Sequence, residues 1–277
     1  MSEFIEQYGE WALVAGASEG IGKSFANRLA ARGMNLVLLA RRVEVLAQVK
    51  AELEAAHGVE VVVRAVDLTA PDLADTLADI AAQHDIGLLV YNAGAAHGAA
   101  TFMSETTENL LSLVHLNCTG PILMVKQFAG PMLARKRGGI ILLSSLSALS
   151  GGAYIATYAA TKAFDMILAE GLWDEMRGSN VHVLGLVAGA TSTPAMLKSG
   201  VVFAQGAEGQ EQITPMTSDQ VADEGLANLG KKPMHIAGEK NFAAAVALRS
   251  AADRVQTIQY MGTATASLFG KPYPTKD

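Results

Sequence analysis

The chain has 277 residues, 50% of them hydrophobic and 17% charged, enough apolar material for one sizeable core. A formal net charge of -6 at pH 7 and a single cysteine, Cys118, exclude a generic attraction to nucleic acid or anionic lipid and any intrachain disulfide. The opening residues lack the basic-then-apolar pattern of a secretory leader, and the longest apolar runs fall short of the roughly 18 residues a spanning helix needs, so the expectation is a cytoplasmic chain with a small-molecule partner.

In chain order, short aliphatic runs fall at 12–15, 36–39, 59–66, 88–91, 140–143 and 181–187. Each is nearly continuous in apolar character, as a strand covered on both faces must be. Between them, 43–57, 73–84 and 107–137 carry apolar residues at helical spacing with charges on the other face. Pro71 suits a helix N-terminus, and Pro121 predicts a kink or interruption inside the long third stretch. Six strands alternating with helices predict an α/β fold, a doubly wound parallel sheet of Rossmann type, in a single domain spanning 1–277. The alternation ends near Val187. Residues 189–217 are rich in Gly, Ser, Thr and small apolar side chains and predict a flap over a site. Met196, Leu197, Val201, Val202, Phe203 and Met216 would give it an apolar lining. Helices are expected over 218–229 and through a tail at 241–268, with a further long helix over 153–177.

The first strand leads into Ala15-Gly16-Ala17-Ser18-Glu19-Gly20-Ile21-Gly22 and then a helix. Glycines let the backbone turn tightly and approach a pyrophosphate, which the free N–H groups and dipole of the helix N-terminus attract. The spacing is Gly-x3-Gly-x-Gly, not the commoner Gly-x-Gly-x2-Gly. The second strand ends at Ala40-Arg41-Arg42, where a site for NAD would place an acidic residue to hold the ribose 2′-hydroxyl. Two arginines suit a 2′-phosphate instead, which predicts NADP(H). Glu19, beside the glycines, mildly opposes phosphate binding.

Farther on, Ser145 closes the fifth strand, and Tyr158 and Lys162 follow four residues apart, on one face of a helix. An ammonium about 4 Å from a phenol is worth roughly 4 kcal/mol toward the phenolate at an effective dielectric of about 20. That pairing suits an acid–base catalyst working near neutral pH.

These motifs together resemble the short-chain dehydrogenase/reductase family over almost the whole chain. The resemblance rests on Gly16, Gly20 and Gly22; Asp67-Leu68 after the third strand; Asn92-Ala93-Gly94 after the fourth; then Asn117, Ser145 and Tyr158-x3-Lys162. Trp11-Ala12-Leu13-Val14 and Ile236-Ala237-Gly238-Glu239-Lys240-Asn241 are similar to the branch containing 3-ketoacyl and 17β-hydroxysteroid reductases. The resemblance implies roles. Tyr158 would be the acid or base, and Lys162 would bind the nicotinamide ribose and favour the phenolate. Ser145 would hydrogen-bond the substrate oxygen, and Asn117 would hold a water that relays protons. Asp67 and Leu68 would line the adenine, and Asn92, Ala93 and Gly94 would border the cofactor, with Asn92 steadying the sheet. Gly16, Ser18, Gly20, Ile21 and Gly22 would cradle the phosphates, and Thr193 would meet the carboxamide. It also implies a homodimer or homotetramer and an apolar ketone, aldehyde or 3-oxoacyl substrate.

The sequence departs from the family pattern where Ala15 stands for the usual Thr and Ala188-Gly189 for Pro-Gly. Neither change removes a reacting group. His57, His84, His97, His115, His182 and His235 show no paired ligand spacing, so no metal is expected. His97 is the one that could line the pocket. Cys118 reads as a packing residue. The competing reading is a catalytically silent NADP-binding regulator, which loss of Ser145, Tyr158 or Lys162 would have favoured.

Overall fold

The computed structural model describes residues 2–94, 100–198 and 214–273. Seven strands form one all-parallel sheet: β1 (Trp11–Ala15), β2 (Asn35–Ala40), β3 (Val61–Ala65), β4 (Ile86–Tyr91), β5 (Gly138–Ser145), β6 (Val181–Ala188) and β9 (Met234–Ile236). Their order is 3-2-1-4-5-6-9, so the chain reverses its direction of travel between β1 and β4. In such sheets the crevice beyond the carboxyl ends of the strands at this reversal receives the ligand.

Alternation explains why the strands are apolar throughout. Ala12, Val14, Leu36, Leu38, Leu88 and Val90 point to one face and pack with Phe25, Leu29, Leu46 and Val221. The intervening Leu13, Val37, Leu39, Leu89 and Tyr91 point to the other, against Leu77, Ile80, Met124 and Phe128. The first group of partners comes from α2 (Gly20–Ala30), α3 (Val43–His57) and α9 (Ser218–Asn228). The second comes from α4 (Leu73–Gln83) and α6 (Gly120–Ala134). With helices on both faces, the inner strands β1, β2, β4, β5 and β6 are buried over almost their whole length, and polar alternation has nothing to report.

Four elements differ from the sequence reading. A short helix, α1 (Glu3–Tyr8), precedes the first strand; the Ser2 side chain caps it by accepting from the Ile5 N–H. The seventh strand, β9, has only three residues, too few for a periodic signal, yet it extends the sheet by pairing with β6. The expected helix over 107–137 divides into α5 (Thr107–Val114), a π turn (His115–Thr119) and α6. Pro121 supplies the reason: it has no N–H for the Asn117 carbonyl four residues back. The turn widens, and the Gly120 N–H reaches the His115 carbonyl instead. The C-terminal tail is two helices, α10 (Glu239–Ser250) and α11 (Arg254–Leu268). A last long helix, α7 (Ala156–Glu175), connects β5 to β6.

After β6 the chain makes β7 (Thr191–Ser192) and α8 (Pro194–Lys198), and it returns through β8 (Met216–Thr217), which pairs with β7. Thr217 and Gln220 then form a reciprocal capping box that starts α9. The expected flap therefore has ordered ends that meet. Its middle, with Val201, Val202 and Phe203, lies outside the described residues, as does His97. Among the described residues no helix is long and apolar enough to cross a membrane.

Candidate active site

The glycine turn sits where β1 meets α2, at the carboxyl edge of the sheet. Gly16 adopts φ +79°, and a Cβ there would lie 2.9 Å from the Ala93 backbone. At Gly22 a Cβ would come within 2.1 Å of the Gly16 carbonyl oxygen. Neither position has room for a side chain, because the turn packs directly on its own backbone and on the end of β4. The Asn92 side chain locks the turn to the end of β4 by donating to the Gly16 carbonyl at 3.0 Å. Helix α2 begins at Gly20 without a side-chain cap from Glu19, and the N–H groups of its first turn face this crevice, as a pyrophosphate requires.

The remaining expected cofactor contacts gather around that turn. Thr193 packs on Gly20, where an added Cβ would meet its Cγ2 at 3.1 Å. The Asp67 carboxylate accepts from the Thr69 N–H at 2.9 Å and from its hydroxyl at 2.8 Å. These bonds, with the nearby Arg41 charge, hold the carboxyl below the usual aspartate range. Leu68 is buried beside it. Arg42 crosses to the turn and pairs with Glu19 at 2.6 Å, with Ser18 Oγ at 3.4 Å from the same nitrogen. Glu19 thus does more than oppose phosphate: it holds one arginine beside the glycine turn.

The second cluster stands at the ends of β4 and β5. Ser145 is the last residue of β5 and pairs in register with Ala188 of β6. Its Oγ accepts from the Ser147 N–H at 3.3 Å, which opens a 3-10 turn, Leu146–Leu149. Tyr158 lies in the first turn of α7 and lines a cleft with Phe102, Leu110, Leu113 and Tyr154. One turn later Lys162 is buried; its Nζ donates to the Leu143 carbonyl at 2.8 Å. A Cβ at Gly94 would lie 3.1 Å from that Nζ, so the lysine reaches from α7 to the segment after β4. Asn117, fully buried in the π turn, donates to Thr161 Oγ1 at 2.9 Å. The fold therefore brings Asn117 and Lys162, from the π turn and α7, to Gly94, with Ser145 at the end of β5 and Tyr158 one turn before the lysine.

Two features of this cluster escaped the sequence reading. Asp165 lies 2.9 Å from Lys162 Nζ and is itself buried. Its signal was present, an acid three residues after the lysine on the same face, but helical acid–base pairs are commonplace on solvated surfaces. Lys162 is half of an ion pair and not an isolated charge. Burial alone would lower the lysine; the attraction of Asp165, its hydrogen bond, and the nearby Tyr158 and Cys118 together outweigh burial and hold the ammonium above the ordinary lysine range. The second feature is the C-terminal segment. The Tyr154 hydroxyl donates to the Pro272 carbonyl at 2.6 Å, and Arg254 of α11 donates to the Leu149 carbonyl at 3.2 Å. Residues distant in sequence thereby border the cleft that holds Tyr158.

The described histidines serve elsewhere. His57 bonds Asn27, His84 stacks on Trp11, His182 bonds Tyr8, and His235 pairs with Glu224. His115 belongs to the π turn. Among the described residues no three His, Cys, Asp or Glu side chains are placed to hold a metal ion.

Comparison with known proteins agrees with this fold. The family model for short chain dehydrogenases matches residues 10–200. A 7beta-hydroxysteroid dehydrogenase of Mediterraneibacter gnavus is 30% identical over 259 residues, 93% of this chain and 97% of that protein. A solved structure from work on 7beta-hydroxysteroid dehydrogenase stereoselectivity superposes with a TM-score of 0.83 at 30% identity, over 93% of this chain and 98% of the other. A short-chain dehydrogenase from Sphingobium yanoikuyae, solved in complex with NADPH, has a TM-score of 0.74 at 27% identity, over 86% and 93% of the two chains.

Proposed function

Because the chain belongs to the short-chain dehydrogenase/reductase family, we propose that it is an NADP(H)-dependent enzyme that interconverts an apolar secondary alcohol and its ketone. Membership makes it an oxidoreductase acting on CH–OH groups. What supports the finer reading is the placement of Ser145 at the carboxyl end of β5, of Tyr158 one turn before Lys162 on α7, and of the Lys162 ammonium against Gly94. A dinucleotide held at this edge of the sheet would supply or accept the hydride.

Gly16, Gly20, Ile21 and Gly22, with Ser18, would hold the cofactor's phosphates. Asp67 and Leu68 would hold its adenosine half, Arg41 and Arg42 its 2′-phosphate, and Asn92, Ala93, Gly94 and Thr193 its nicotinamide half. In the reductive direction, negative charge grows on the substrate oxygen. Tyr158 gives its phenolic proton to that oxygen, and the Ser145 hydroxyl donates a hydrogen bond to it. Lys162 steadies the phenolate that remains, and Asn117 fixes the buried end of the route by which a proton returns. Oxidation runs the same transfers backward.

Phe102, Leu110 and Leu113, which line the cleft with Tyr158 and Glu105, support a partly apolar partner. The whole chain, 1–277, would be one domain around this cleft. A bulky hydroxysteroid or its ketone heads the substrate panel on the strength of the relatives; aldehydes and 3-oxoacyl thioesters complete it. Turnover is read by the absorbance of reduced cofactor, with NADPH and NADH in parallel. We expect at least one ketone or alcohol to be turned over with the phosphorylated cofactor. No turnover across the panel, with NADPH bound tightly, would favour a silent binding protein.

Assembly is a further expectation. Helix α7 carries an open apolar groove lined by Ala160, Ala163, Phe164, Ile167 and Leu168, and Ile167 is 59% exposed. Leu111 of α5 and Ile122 of α6 are also exposed. Apolar helix faces of this kind bury against a second copy. Light scattering at micromolar concentration should give the mass of a dimer or tetramer, and a monomeric mass would refute it. With one cysteine and no membrane-spanning helix among the described residues, the cytoplasm is the compartment proposed.

A further inference from the structure

We propose that Asp165 is a positioning residue for Lys162: a buried carboxylate that fixes the charge and placement of the ammonium and so sets the pH range over which Tyr158 gives and takes its proton. This rests on the functional reading above.

Asp165 is 1% exposed and lies on α7, one turn beyond Lys162. Its Oδ2 accepts from Lys162 Nζ at 2.9 Å, and that Nζ also donates to the Leu143 carbonyl at 2.8 Å. The second oxygen, Oδ1, is buried and has no hydrogen-bond partner among the described residues. A half-satisfied carboxylate in an apolar core is costly, and an apolar side chain would pack there without that cost. Packing alone therefore does not account for an acid at this position. Its one partner is the lysine that reaches Gly94.

The ionisable groups around the pair come from three elements. Tyr91 ends β4, Cys118 stands in the π turn, and Tyr158 precedes Lys162 on α7. Burial pushes the Tyr91 phenol up, and the Asp165 charge adds to the push. Burial and the same charge push the Cys118 thiol up to about 11. Both stay neutral through the working range. Burial raises the Asp165 carboxyl and the Lys162 ammonium pulls it partly back down. Tyr158, Lys162 and Asp165, with Glu105 lining the cleft beside Tyr158, are left as the groups that share charge.

The sign of the effect follows. An unpaired ammonium favours the phenolate, and a carboxylate beside it opposes that pull. Removing the carboxylate removes a negative charge from a buried cluster. Held by the Leu143 carbonyl, Lys162 keeps its charge, and the phenol is the group that gives up its proton more readily, so its titration moves to lower pH.

The test is an ultraviolet absorbance titration of phenolate in the whole protein without substrate. The part of the signal that Tyr158→Phe abolishes reports Tyr158. In Asp165→Asn that part should develop about one pH unit lower, a tenfold change in the proton equilibrium. Asp165→Glu, which keeps the charge, should restore the original midpoint. Where the Asn variant does not fold, Asp165→Ser, neutral and small enough for the same space, is read in the same way. An unchanged midpoint in a folded neutral variant overturns the proposal, since a purely structural role would change stability and leave the titration alone. The titration needs no turnover, so a shifted midpoint in a protein inactive toward every substrate upholds this inference while sinking the proposed activity.

Discussion

Tyr158→Phe is expected to lower turnover by about 10²–10⁴-fold, the usual contribution of a general acid or base, while leaving NADPH affinity near its original value. The substitution keeps the ring in the cleft beside Phe102 and Leu113 and removes only the hydroxyl. Cofactor binding should survive because the phosphate turn and the arginines stand apart from that hydroxyl. Fluorescence titration of NADPH against the variant measures the affinity, and single-turnover oxidation of NADPH measures the loss of rate. Ser145 would still polarise the substrate oxygen, so some activity should remain. The loss should concentrate in kcat, because the proton moves only in the transition state. Near-normal turnover by the variant would overthrow the acid–base assignment whatever the substrate proves to be.

The second large effect concerns the cofactor. The unmodified protein should bind NADPH at least tenfold more tightly than NADH, about 1.4 kcal/mol, and Arg41→Ala with Arg42→Ala should erase most of that gap. In the structure Arg42 pairs with Glu19 at 2.6 Å, and its side chain is 46% exposed. A 2′-phosphate must compete with this pair. Exposed ion pairs contribute only about 0–1 kcal/mol, whereas a guanidinium can hold phosphate through two charge-assisted bonds, so the exchange favours the ligand. NADH affinity should change little in the double variant, because its ribose hydroxyl makes no comparable demand. Isothermal titration with both cofactors decides the matter. Equal affinities in the unmodified protein would remove the assignment of Arg41 and Arg42 to the phosphate.

Much of this molecule is legible in one dimension. The helix read at 43–57 is the observed Val43–His57, because a regular amphipathic pattern and a glycine stop, Gly58 at φ +67°, lie within the same few residues. Local readings failed where length or partner choice decided. Three residues at Met234–Ile236 carry no period, and they are a strand only because β6 offers an unpaired edge. The break at Asn117 was half visible, since Pro121 predicted an interruption but not its form.

Neighbouring residues alone specify the apolar strands, the glycine spacing after β1, the arginines at the end of β2, and the one-turn spacing of Tyr158 and Lys162. Each of these is written within a few consecutive positions. Tertiary structure decided what those residues meet. It brought Asn92 onto the Gly16 carbonyl, set Arg42 against Glu19, carried Pro272 to Tyr154, and sealed Asp165 into the core beside Lys162. The physical reason is burial. The same acid three residues after a lysine is a weak, screened pair in water, and it becomes a strong and costly one only where the packed sheet excludes solvent.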